Sequence, residues 1–169
     1  RIARQVCGQV LVALPPAPHD RYTAISGLDV TPVPVADAAE GMGASLRTSF
    51  AALPEQADAA LLLLGDLPDL TADDLKTVLQ SVDLKSETLI WRGTTADGRA
   101  GHPIVFAKSL FAQFANLTGD NGGQSIVQSV GDRVDELDRR IIQMKIEREA
   151  LKKEDDRASK DRSDRRADV

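Results

Sequence analysis

Cysteine, excess basic charge and long hydrophobic runs are all lacking or scarce in this 169-residue chain. The one cysteine, Cys7, excludes an internal disulfide framework and fits a reducing cytosol. Its apolar neighbours mark it as a structural thiol rather than a nucleophile. Lys and Arg number 21 against 26 Asp and Glu, a formal charge of −5, so the chain carries no electrostatic footprint for nucleic acid. No apolar run approaches the roughly 18 to 20 residues of a membrane span. The first residues also lack a charged head followed by a long apolar stretch, so no secretory signal is read there. Together these absences predict a cytoplasmic protein with neither membrane nor nucleic-acid partner. The chain starts at Arg1, already inside a helix-like pattern, with the look of a cut.

What is present divides in two near Gly131. Residues 135–169 carry 11 Lys/Arg and 11 Asp/Glu, with no glycine, proline or aromatic residue. Val134, Leu137, Ile141, Met144 and Leu151 recur there at spacings of three and four, with Arg148 filling the gap. That pattern predicts a charged helix with a short heptad seam, able at most to self-associate weakly as a coiled coil. Beyond Leu151 the nearly all-charged sequence predicts a disordered end. The expected organisation is one domain over residues 1–131 and a helical tail over 132–169.

Within 1–131, strand-like and helix-like segments alternate. Strands are expected at Gln9–Leu14, Asp29–Val35, Ala59–Leu64, Glu87–Trp91 and Pro103–Phe106. The second, carrying Pro32 and Pro34, belongs at an edge. Helices are expected at Ala44–Leu53, from Thr71 to about Val82, at Lys108–Asn116 and at Gly123–Val130. Thr71 followed by Asp73 and Asp74 is a helix start, with an N-cap and acids on the positive end. Alternation of this kind predicts an α/β layer fold with a mostly parallel sheet.

Four motifs fall at the ends of these strands. Glu40-Gly41-Met42-Gly43-Ala44-Ser45-Leu46 is a glycine turn entering a helix, which suits either a phosphate-holding loop or simple close packing. Gly65-Asp66-Leu67-Pro68 ends the buried run Ala59–Leu64. Ligands of open α/β sheets bind beyond the carboxyl ends of strands, where Asp66 would stand as a hard oxygen ligand for Mg²⁺, unless the motif is only a turn. Gly98-Arg99-Ala100-Gly101-His102-Pro103 offers His102 as a donor to a substrate oxygen or as a structural residue. Thr118-Gly119-Asp120-Asn121-Gly122-Gly123 offers Asp120 as a metal or water contact or as a helix cap.

In this order and spacing the four motifs resemble the MobA-like nucleotidyltransferase family, over about residues 1–131. The nearest branch resembles the molybdenum cofactor cytidylyltransferases. The resemblance implies a Rossmann-like three-layer fold and transfer of CMP from CTP to molybdopterin, with release of pyrophosphate. By the same resemblance Asp66 would bind Mg²⁺ bridging the triphosphate, Gly43, Ser45 and Gly65 would lie along the nucleotide, and His102 and Asp120 would border the acceptor. A molybdoenzyme or its chaperone would be the protein partner. The acceptor oxygen is already anionic, so such a reaction needs positioning and charge neutralisation more than a strong base.

The family's Leu-Ala-Ala-Gly-x-Ser-x-Arg-x-Gly signature is missing. The resemblance therefore implies a fold truncated at its amino terminus, lacking a central strand and the basic residues that neutralise the triphosphate. The neighbours of that strand would each expose an unpaired edge. An expectation follows that the chain does not turn over unaided, the alternative function being a non-catalytic remnant that acts by binding or through its coil. Residues 134–162 resemble part of the coiled-coil middle domain of the bacterial Clp-family disaggregase. Its ATP-binding P-loop is absent, so disaggregase activity is not implied.

Overall fold

The computed structural model describes residues 1–94, 99–120 and 122–138. Strands β1 (Leu11–Leu14), β2 (Thr31–Pro34), β3 (Ala59–Leu62), β4 (Ile90–Thr94), β5 (Ala100–Ala107) and β6 (Val134–Asp138) alternate with helices α1 (Arg21–Ile25), α2 (Met42–Ala51), α3 (Ala72–Ser81) and α4 (Gln124–Ser129). Residues Lys108–Asn116 form a long 3₁₀ segment. This is the expected α/β arrangement.

The strands form two sheets, β1-β2 and β3-β5-β4-β6. β1 pairs with β2 in parallel, as does β4 with β6, whereas β5 is antiparallel to both β3 and β4. Within the four-stranded sheet, β5 alone runs opposite to β3, β4 and β6. β2 lies at an outer edge, as its two prolines require.

Both faces of the larger sheet are covered. On one, Phe50 of α2 packs with Ile90, Phe106, Leu110 and Phe114. The Phe50 and Phe114 rings stack at 3.4 Å, and Phe106 meets Phe114 edge-on at 5.1 Å. On the other face, Val78 of α3 packs on Trp91, Val105 and Ala107. Thr71 caps α3 through a reciprocal capping box with Asp74, closing two backbone donors that would otherwise be orphaned.

The helix expected from Val134 does not begin there: residues 134–138 are strand β6. The three-residue spacing of Val134 and Leu137 has a different origin from a heptad. In a strand, residues three apart point to opposite faces. Val134 accordingly joins the Phe106 face, while Leu137 joins the Trp91 face. A sheet buried on both sides demands apolar residues of both parities. The rest of the expected charged helix and coil, with its disordered end, lies outside the described residues.

Candidate active site

β1 ends at Leu14, β2 at Pro34 and β3 at Leu62. Gly65 and Asp66 form an exposed turn just past β3. Gly41 precedes α2 with φ +114°, a conformation open to glycine and strained for other residues. α2 then packs against the turn at Thr118–Asp120.

That packing explains the glycines of the first motif. The Gly43 N–H donates to the Gly119 carbonyl at 2.8 Å, and Gly43 is buried beneath it. A Cβ at residue 43 would lie 2.7 Å from the Gly119 oxygen, and one at residue 41 would lie 2.1 Å from Asp120 Oδ1. Asp120 accepts from the Met42 N–H at 3.4 Å. Two further residues complete the clamp. Glu40 accepts from Arg47 at 2.8 Å and from the Gly119 N–H at 3.2 Å, while Arg47 also donates to the Leu117 carbonyl. The Arg47 guanidinium, then the Gly119 N–H, holds the Glu40 carboxyl below its ordinary range. Sequence reading assigned no role to Glu40 or Arg47. Their signal was available in the charges flanking Gly-Met-Gly-Ala-Ser-Leu, although the partner at residue 119 is 79 positions away from Glu40.

A cavity of about 1130 Å³ opens between β1 and β3. Its lining includes Ser45, Gly65 and Asp120, so the structure brings together three of the expected site residues, drawn from three motifs. Arg21, at the start of α1, also lines it and was not anticipated. Gly43 does not belong to this lining, and its N–H is engaged. His102 is half-buried and its Nδ1 has no hydrogen-bond partner among the described residues. Burial pushes its pKa below the ordinary 6.5, opposed by a hydrogen bond with the Leu62 backbone and by the Asp66 charge. A neutral imidazole can exchange hydrogen bonds with a bound oxyanion without adding fixed positive charge. Cys7 also lines the cavity, where burial raises its pKa and so disfavours a thiolate nucleophile.

Residues 1–136 match the MobA-like NTP transferase domain. The chain belongs to that family. Its fold agrees with this membership. Rv0371c from Mycobacterium tuberculosis H37Rv is 31% identical with a TM-score of 0.67, the match covering 81% of this chain and 69% of that one. The manganese complex of Rv0371c is 30% identical with a TM-score of 0.66, covering 81% and 71%. An Rv0371c homologue from Mycobacterium sp. strain JC1 is 25% identical with a TM-score of 0.67, covering 80% and 67%. A different and much shorter likeness links 36 residues to the chaperone protein ClpB of Rhizobium meliloti at 69% identity, which is 21% of this chain and 4% of ClpB. ClpB of Brucella suis matches over 39 residues at 64%, again 4% of its length. This MobA-like domain is thus a nucleotidyltransferase-family protein by sequence and by fold. No helix among its described residues is long and apolar enough to cross a membrane.

Proposed function

We propose that this MobA-like domain transfers CMP from CTP to molybdopterin, with release of pyrophosphate. The observation that carries the reading is the convergence of Ser45, Gly65 and Asp120 on one cavity between β1 and β3. The Ser45 hydroxyl is a donor for a phosphate or sugar oxygen. Arg21 supplies positive charge to the same cavity. His102, neutral near pH 7, accepts or donates a hydrogen bond at the acceptor phosphate, and Asp120 borders that side.

The donor chemistry fits Mg²⁺. Asp66 is an exposed carboxylate, and no group of three or more His, Cys, Asp or Glu forms a metal cage among the described residues. Mg²⁺ commonly takes one or two protein carboxylates and fills its shell with substrate phosphates and water. Bound at Asp66, it would neutralise charge on the triphosphate. The remaining work is positional: the chain must hold the acceptor oxygen in line with the α-phosphorus.

The test is pyrophosphate release from CTP and molybdopterin with Mg²⁺ present, beside calorimetric titrations of Mg-CTP and Mg-GTP. Turnover that disappears in Asp66→Ala, with CTP bound in preference to GTP, supports the reading and overturns the expectation that the chain does not turn over unaided. Turnover unchanged in Asp66→Ala refutes the role of Asp66, and preference for GTP refutes the nucleotide assignment. A second reading, binding without turnover, is favoured by the separation of β1 from β3. It requires Mg-CTP to bind without pyrophosphate appearing, and it would leave contact with a molybdoenzyme as the chain's activity.

A further inference from the structure

The turn that presents Asp120 is gripped from α2 one peptide plane at a time. The Leu117 carbonyl, in the plane joining residues 117 and 118, accepts from the Arg47 guanidinium. The Gly119 N–H, in the next plane, donates to Glu40 Oε1 at 3.2 Å. The Gly119 carbonyl, in the plane after that, accepts from the Gly43 N–H at 2.8 Å. Three consecutive planes leading to Asp120 are thus each tied to a residue between 40 and 47. Because peptide planes are rigid, holding the planes on both sides of a residue fixes its φ and ψ.

Gly119 is the residue that needs this. It stands at φ +60°, and a Cβ there would meet no heavy atom within 4 Å, so packing around its Cα does not hold it. Glycine otherwise takes positive and negative φ about equally readily. Its flanking planes are the ones held by Glu40 and Gly43, and they set the direction in which the chain enters Asp120. Arg47 in turn holds Glu40 Oε2 at 2.8 Å, with Asp37 3.8 Å from the same guanidinium nitrogen. Asp120 is exposed, and its bond from the Met42 N–H, at 3.4 Å, is longer than usual. Most of its accepting capacity is left for a ligand. Ser45, on α2 between Gly43 and Arg47, lines the cavity with Asp120, whereas Glu40 and Arg47 do not line it. Any effect of that pair on a ligand passes through the turn.

We infer, on the reading of Asp120 as the acceptor-side carboxylate, that Glu40 and Arg47 are positioning residues which hold Asp120 in fixed relation to Ser45. The carboxylate then stands ready to accept from the amino and ring N–H donors of a pterin.

The test is a double-mutant cycle in the 169-residue chain, read by calorimetric titration of molybdopterin in the presence of Mg-CTP. Asp120→Ala and Glu40→Ala are each expected to weaken binding at least about tenfold. The double variant is expected to bind no more weakly than Asp120→Ala, because Glu40 acts only through Asp120. Glu40→Gln keeps a carbonyl oxygen for the Gly119 N–H and should restore most of the affinity. Arg47→Met runs the same cycle with Glu40 left in place, and far-ultraviolet circular dichroism confirms that each variant is folded. Two readouts need no ligand. Hydrogen exchange at the Gly119 amide should quicken at least about tenfold in Glu40→Ala. The Met42 amide shift, which follows the ionisation of Asp120 through their hydrogen bond, should titrate with smaller amplitude. Additive losses in the cycle, full affinity in folded Glu40→Ala and Arg47→Met, or unchanged Gly119 and Met42 signals overturn the positioning role. A parent chain that binds no molybdopterin overturns the acceptor reading instead, and the two amide signals then decide the positioning.

Discussion

Gly43→Ala is the substitution that most sharply tests how the first motif works. The added Cβ would stand 2.7 Å from the Gly119 oxygen and 3.0 Å from the Thr118 carbonyl carbon, both backbone atoms that no rotamer change can move. Forcing a methyl into such a contact costs about 1–3 kcal/mol. Displacing the turn also weakens the 2.8 Å bond from the Gly43 N–H to Gly119 O, worth about 1 kcal/mol. Alanine recovers about 1 kcal/mol through helix propensity, since residue 43 lies inside α2. The net expectation is a loss of about 1–3 kcal/mol. Urea unfolding should show a lower midpoint at unchanged slope, with Tm falling about 2–4 °C for each kcal/mol. Gly65→Ala is the control, because its Cβ would meet no heavy atom within 4 Å, and a change within about 0.5 kcal/mol is expected. Gly43→Ala proving as stable as the parent, or more stable, would refute the close approach of α2 to the 118–120 turn.

The Glu40 clamp predicts an acid-sensitive component of stability. Its folded pKa lies below the ordinary 4.5, so its contribution is complete above 4.5 and is lost as pH falls through the folded value. Melting temperatures of Glu40→Gln should decline less between about pH 6 and pH 3 than those of the parent, and identical slopes would refute the linkage. For β6, Leu137→Ala should cost about 1–2 kcal/mol, because a partly buried side chain loses its contact with the Trp91 face. The amides of Val134–Asp138 that bond to β4 should resist hydrogen exchange as strand amides do, and free exchange there together with a neutral Leu137→Ala would refute the strand.

Local chemistry made much of this fold legible. Pro32 and Pro34 marked an edge strand, and the Thr71–Asp74 box marked a helix start, because caps and prolines act within a few residues of themselves. The position of Gly65-Asp66 past an aliphatic run followed from the same kind of signal. Spacing misled at Val134 and Leu137, where three-residue periodicity fits a helix stripe and also fits a strand covered on both faces. Only the presence of β4 alongside decides between them.

The site divides in the same way. Sequence alone determined the residues of the four motifs, Ser45, Gly65, Asp66, His102 and Asp120 among them, and it placed them in the order of the MobA-like family. Tertiary structure decided that Gly43 serves packing against Gly119, that Glu40 and Arg47 brace that turn, and that Arg21 reaches the same cavity as Asp120. It also decided that a cavity opens between β1 and β3. Backbone donors and acceptors are the same in every residue, so which of them find which partners is written in the approach of distant segments and not in the identity of any side chain.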